Sequence, residues 1–210
     1  MKNLILFVLL VPILCNAKFY SGTVTMSDNS LKKGFIEIPE FPDDTKLKYR
    51  VEEKGKTEKL EINSVKGFEI TNDKNETIKF ITIYTAYQGS NKLNIDKKKS
   101  WASIVKEGKI NLYRTYTSGT SGTMGVPSSG SSGGFTYYIN RPNDEYIIYI
   151  DESDGGGLNF CGNCFTQLKK TLAKIFENDC PKLADLVDKQ DLKKNGYVRI
   201  VELYEQNCGN

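Results

Sequence analysis

The sequence predicts an α+β protein: an antiparallel β-sheet or small barrel followed by a C-terminal cluster of three short helices. Two periodicities and one junction carry this prediction. From about residue 19 to 150, short runs alternate apolar and polar side chains, the pattern of strands with one face buried. Beyond about residue 160 the apolar residues recur at the spacing of an amphipathic helix. Between the two lies Gly157-Leu158-Asn159-Phe160-Cys161-Gly162-Asn163-Cys164-Phe165, where the glycines let the chain leave the sheet and the reactive-looking side chains sit.

The N-terminus reads as a targeting segment. Met1-Lys2-Asn3 precedes an apolar run from Leu4 to Leu14, which ends at Cys15-Asn16-Ala17 with small residues where a signal peptidase cuts. Residues 1–17 are therefore expected to be a secretory signal peptide. The run is shorter than the roughly 20 residues a membrane-spanning helix needs, so no transmembrane segment is expected after cleavage. Lipidation of Cys15 is disfavoured, because Leu14 stands where a small residue is required. The remaining 193 of 210 residues suit one domain. In it, residues 18–157 are β-rich and residues 158–210 form a helical region packed on the sheet.

Once Lys2 leaves with the signal peptide, 28 of the 29 Lys and Arg face 26 Asp and Glu. Such a balance offers no clustered basic excess for nucleic acid. The chain contains 0 His, which excludes Ser-His-Asp and Cys-His hydrolases and His-ligated zinc, iron or haem. Neither a cofactor-binding nor a metal-ligating set is expected.

Taken in order, Tyr20 to Met26 and Lys33 to Ile38 form a hairpin about Asp28-Asn29-Ser30. With an apolar strand on each side of a polar turn, it looks like the start of a small SH3-like barrel. Lys46 to Glu52 alternates strictly, placing Leu47, Tyr49 and Val51 on the buried face. After a turn at Glu53 to Lys56, Leu60 and Ile62 resume the alternation before Val65 to Ile70. Thr77 to Tyr84 is apolar on both faces, as a central strand covered on each side would be. Asp96 to Lys99 is a charge run expected in a solvated turn. Trp101 to Val105 and Ile110 to Tyr116 pair about Gly108.

Thr117 to Gly134 is built almost wholly of Ser, Gly and Thr, too poor in apolar surface to offset its ordering entropy, and reads as a mobile loop. It lacks the glycine spacing and the Gly-Lys-Ser/Thr ending of a phosphate cradle. Phe135 to Asn140 and Tyr146 to Ile150 make the last hairpin, about Arg141-Pro142-Asn143-Asp144. Asp151-Glu152-Ser153-Asp154-Gly155 reads as a polar turn, because its spacing misses the order of a calcium loop. Three helices follow. Phe165, Leu168, Leu172, Ile175 and Phe176 mark the first, and Leu183, Leu186 and Val187 the second, entered through Asp179-Cys180-Pro181. Tyr197, Ile200, Val201 and Tyr204 mark the third.

Four cysteines follow the signal peptide, and in an exported chain an even number is most simply two disulfides. Cys180 is in phase with Leu183 and Val187, and Cys208 with Tyr204, so both point inward and are placed to bridge. Closing that loop stabilises by about 3.5 kcal/mol in the chain-entropy model. Cys161 and Cys164 would then pair with each other. Cys161-Gly162-Asn163-Cys164 looks like the thioredoxin-type Cys-Gly-x-Cys pair, where a thiolate at a helix N-terminus becomes a redox nucleophile. It departs from that pattern: Phe160 stands where Trp would, no strand immediately precedes it, and the one downstream proline, Pro181, opens a helix.

Several passages together resemble a family of uncharacterised exported proteins of Bacteroidota. They are Gly22-Thr23-Val24, Lys33-Gly34-Phe35-Ile36, Gly108-Lys109-Ile110-Asn111-Leu112-Tyr113, Tyr137-Tyr138 after the Gly/Ser-rich loop, Asp179-Cys180-Pro181-Lys182-Leu183 and Asn207-Cys208. The resemblance implies an envelope location and a β-then-helix layout, and no catalytic activity. Cys161-Gly162-Asn163-Cys164 lies outside the shared pattern, which favours that pair closing on itself.

The expected function is that of an exported, periplasmic or secreted module that binds an unidentified envelope or extracellular partner. Residues 117–134 and the adjacent Tyr113, Tyr116, Tyr137 and Tyr138 are its candidate contact region. The alternative is an exported thiol-disulfide oxidoreductase with Cys161 attacking and Cys164 resolving. A glycoside hydrolase needs two matched carboxylates, and no pair of acids stands out by spacing.

Overall fold

The computed structural model describes residues 18–89, 92–117, 134–153 and 163–208. The opening hairpin pairs β1 (Phe19–Met26) with β2 (Leu31–Glu37). In its turn Asn29 takes a left-handed conformation, φ 69°, and the Asp28 carboxylate accepts from the Ser30 amide. β3 (Lys46–Arg50) and β4 (Glu58–Glu61) extend the sheet, and a 3-10 turn (Ile62–Ser64) leads to β5 (Val65–Thr71), which returns to pair with β1. The order β5-β1-β2-β3-β4 is an open layer.

The small barrel is formed by the strands that follow. β6 (Thr77–Gln88), β7 (Leu93–Lys106), β8 (Asn111–Thr117), β9 (Gly134–Asn140) and β10 (Tyr146–Ser153) run antiparallel in sequence. β10 then pairs in parallel with β6, Tyr146 opposite Tyr84 and Ile148 opposite Ala86, and five strands close on themselves. Shifts of register bend the strands at Tyr84/Ala86, Ile104/Lys106 and Tyr149/Asp151, as closure requires.

β6 is the central strand its two apolar faces predict. Its N-terminal half also pairs with β5, so one strand belongs to both the open layer and the barrel. The period of two sends neighbouring side chains of β6 and β7 into different cores. Phe80 and Trp101 turn to the open layer. There Phe80 stacks on Phe68 at 4.6 Å, Trp101 meets Phe68 at 5.5 Å, and the Trp101 indole donates to the Asp44 carbonyl at 2.8 Å. Ala102, with Ile81, Ile83 and Ile104 against it, joins Tyr113, Tyr138 and Ile147 to fill the barrel.

The helices pack on the barrel's outer wall, where Ile110, Leu112, Ile139 and Ile150 meet Leu168, Leu172, Phe176, Leu183, Ile200 and Val201. Among the described residues they number four rather than three: α1 (Cys164–Ile175), α2 (Leu183–Leu186), α3 (Lys189–Asn195) and α4 (Val198–Asn207). The additional helix is α3, whose N-cap Asp188 accepts from the amides of Gln190 and Asp191. The entry expected at Asp179-Cys180-Pro181 is not used. α2 starts three residues beyond Cys180, at Leu183, and Asp179 serves a different purpose described below.

Other expectations also change. Val51 lies beyond the end of β3 and is 63 % exposed, while Leu47 and Tyr49 are buried as the alternation requires. Asp96 to Lys99 is a bulged segment within β7, the longest described strand, instead of a turn. Asp151 to Ser153 continues β10, and Asp151 is buried. Among the described residues no helix is long and apolar enough to cross a membrane. Residues 1–17, Asp154, Gly155 and nearly all of the 117–134 loop lie outside the described residues.

Candidate functional site

A surface depression lies over the outward faces of β1, β2 and β5. Gly22 and Gly34 sit opposite each other across the first hairpin, where neighbouring backbone comes very close. A Cβ on Gly22 would lie 2.1 Å from the Glu69 carbonyl oxygen, and one on Gly34 would lie 2.2 Å from that of Arg50. Ser21, Thr23, Lys33, Phe35, Glu69 and Thr71 line a hollow of about 480 Å³ here. A second hollow of about 320 Å³ shares Thr23 and Glu69 and continues over Thr25, Leu31, Ile81 and Ile104. Together they make a trough that is mainly polar over the first hollow and mainly apolar over the second, where it reaches β6 and β7. Leu31 and Val51, each 63 % exposed, stand on its edges. Convergent hydroxyls beside unpartnered apolar groups are the anatomy of a binding surface.

The tyrosines beside residues 117–134 are not brought together. Tyr113 and Tyr138 turn into the barrel, where burial pushes both phenols up. Tyr116 turns to the core under the open layer, and Tyr137 packs on Tyr197 with ring centroids 4.4 Å apart. The same period of two that makes β8 and β9 strands divides these four rings between two faces, so no platform results.

Of the cysteines, Cys180 and Cys208 form the predicted disulfide, with Cα atoms 5.5 Å apart. Cys180 is buried and Cys208 half-buried, which ties the entry to α2 to the end of α4. Cys164 opens α1 and is disulfide-bonded. Cys161 lies outside the described residues.

Two carboxylates, expected from the sequence in a polar turn and at a helix entry, instead join the helices to the barrel. The Asp151 carboxylate, at the end of β10, accepts from the Tyr197 hydroxyl at 2.7 Å and from the Glu152 amide at 2.9 Å. Burial raises its pKa, and those two bonds oppose the rise. Burial, together with the hydrogen bond to that carboxylate, pushes the Tyr197 phenol far up. Tyr149, half-buried and close to Glu152 and Asp151, is pushed up to about 12. On the other side, the guanidinium of Arg141 from the β9–β10 turn grips Asp179 through two bonds, 2.7 and 3.2 Å, and donates to the Ile175 carbonyl at 3.1 Å. Tyr204 donates to the same carboxylate at 2.9 Å. Burial raises the Asp179 pKa, but the Arg141 and Tyr204 hydrogen bonds outweigh it and hold the carboxyl below its ordinary value. Each polar group here is turned toward a partner across an interface, which makes both clusters fastenings between elements.

Fold and surface thus define a mostly β protein with a closed five-stranded barrel, extra strands, a C-terminal helical cluster and an open trough. Comparison of the chain with protein-family models, with curated proteins and with solved structures finds no match.

Proposed function

We propose that this chain is an exported, non-catalytic binding module of the cell envelope or secreted space, acting through the trough on β1, β2 and β5. The carrying observation is the trough itself: a hydroxyl-lined hollow adjoining a mainly apolar one, with exposed Leu31 and Val51 at the edges. The signal-peptide pattern of residues 1–17, the Cys180–Cys208 bridge and the resemblance to exported Bacteroidota proteins support the location. A photo-crosslinking residue placed at Thr23 or Leu31 should trap one envelope component, and the same residue at Lys170 on α1 should not. A Thr23→Arg variant that folds normally should lose the adduct, and deletion of residues 118–133 should leave it. Equal trapping from Thr23 and Lys170 would refute the trough as the contact.

A second reading rests on Cys164, which opens α1 in disulfide-bonded form. It makes the chain a thiol-disulfide oxidoreductase acting through Cys161 and Cys164. A reduction potential for that pair below roughly −300 mV, the range of structural bridges, would remove this reading.

A further inference from the structure

The run Asp96 to Lys99 has a structural role that its composition conceals. Tyr84 pairs with Lys99 and Ala86 with Ile95, so Thr85 alone stands opposite Asp96, Lys97 and Lys98. Such a bulge re-aims side chains that an unbroken strand would alternate between its faces. Asp96 is held by the Thr85 hydroxyl, which donates to its carboxylate. Lys97, Lys98 and Lys99 all line one hollow of about 240 Å³ with Asn63, Tyr84 and Asp43. The Lys99 ammonium lies 5.8 Å from the centre of the Tyr84 ring, which holds it on that side.

No ion pair engages these three lysines among the described residues, although Lys18, Lys32, Lys46, Lys48 and Lys79 each have a carboxylate partner. Three like charges around one hollow repel one another, and a plain strand would have separated them. Asp43 is the single acid in the lining, so the hollow has two positive charges in excess. That excess matches a dianion. The Asn63 amide and Tyr84 hydroxyl add neutral donors of the kind that accompany ammonium groups around phosphate oxygens.

The geometry points to an oxyanion site in this hollow, selective for the dianionic phosphate group of a phosphate monoester or of inorganic phosphate. It shares no lining residue with the trough, so either site can fail without the other.

The test titrates the folded, signal-cleaved protein with inorganic phosphate, glycerol phosphate and, as an ionic-strength control, sodium chloride, following backbone amides by NMR. Both phosphates should shift the amides of residues 97–99, Asn63 and Tyr84 in a saturable way that chloride does not reproduce. K97Q/K98Q/K99Q should weaken the response by about tenfold or more, the loss expected when charge-assisted contacts are removed. K32Q/K46Q/K79Q removes the same charge elsewhere and should leave it intact. Sedimentation with phosphatidylcholine vesicles containing phosphatidic acid separates the sources: co-sedimentation lost in K97Q/K98Q/K99Q assigns a lipid headgroup, and none assigns a soluble phosphate. Chloride reproducing the shifts, or equal weakening in both triple variants, would overturn the site, since either marks a general effect of charge.

Discussion

Removing one oxygen from Tyr197 tests how the helical cluster is fastened to the barrel. Tyr197→Phe keeps the ring on Tyr137 and deletes the hydroxyl that donates to the Asp151 carboxylate at 2.7 Å. Asp151 is only 6 % exposed, so water does not readily replace that donor. A hydrogen bond to a charged, buried acceptor contributes about 1.5–3 kcal/mol, and Tyr197→Phe should lose that much stability at pH 7. The loss should depend on pH in a definite direction. Burial already holds the folded-state pKa of Asp151 above its unfolded value, so the native state is penalised above the folded pKa and relieved as pH falls through it. Deleting a donor to the ionised form raises that pKa further. At pH 4 the variant escapes part of its penalty by taking up a proton, and its loss should shrink to about half or less.

Urea denaturation of both proteins at pH 7 and pH 4 reads this directly, because titrations elsewhere cancel when each variant is compared with the parent at one pH. Asp151→Asn should abolish the difference between the two pH values. An equal loss at pH 4 and pH 7, or a loss below about 0.5 kcal/mol at pH 7, would show that the carboxylate does not depend on Tyr197.

Further predictions concern the bridge, the first hairpin and the Arg141 fastening. C180A/C208A should lose about 3.5 kcal/mol by denaturation, with parent-like circular dichroism in the strand region, because the bridge lies wholly within the helical cluster. Gly22→Ala places a methyl 2.1 Å from a backbone oxygen that can yield only by moving β5, so a loss of about 1–3 kcal/mol is expected; one below about 0.5 would mean the strands separate easily. Asp179→Asn should destabilise at neutral pH and matter little in acid. The depressed folded pKa of Asp179 gives stability that is present above the unfolded pKa and lost as pH falls through the folded one. Because Arg141 and Asp179 are 38 % and 32 % exposed, screening keeps the neutral-pH effect near about 1 kcal/mol, measurable as a shift in the thermal midpoint.

The parts of this fold visible in the sequence are those fixed by local rules. Asp28-Asn29-Ser30 specifies its turn through one carboxylate and one left-handed residue, and β1 and β2 follow in register. The Cys180–Cys208 pairing was also legible, although the helical phase that suggested it does not reach Cys180, which lies before α2, while Cys208 caps α4. Helix α3 was missed although its Asp188 cap lies in the sequence. Lys189 to Asn195 offers only Leu192 to the core, and one apolar residue sets up no period. In the trough, backbone approach at Gly22 and Gly34 could be suspected from composition. The meeting of Thr23 with Glu69 could not, since it depends on β5 returning past three other strands to pair with β1.

Which strands close the barrel was hidden for a related reason, and the lysine hollow shares it. Both depend on register shifts. A bulge moves one residue out of step without changing which residue types are apolar, so the period of two before and after it reads as two ordinary strands. The shift at Tyr84/Ala86 sits where the parallel pairing with β10 begins, and it is also the shift that gathers Lys97 to Lys99. If one irregularity bends β6 and β7 toward closure and sets the direction of three lysines, the two properties should fail together. Deleting Lys97 and Lys98 to restore an unbroken ladder should straighten β7, weaken the Ile147–Thr85 pairing and expose the β6–β10 amides to hydrogen exchange. K97Q/K98Q, which keeps the chain length, should leave that exchange unchanged. Parent-like protection after the deletion would show that closure rests on the other two bulges.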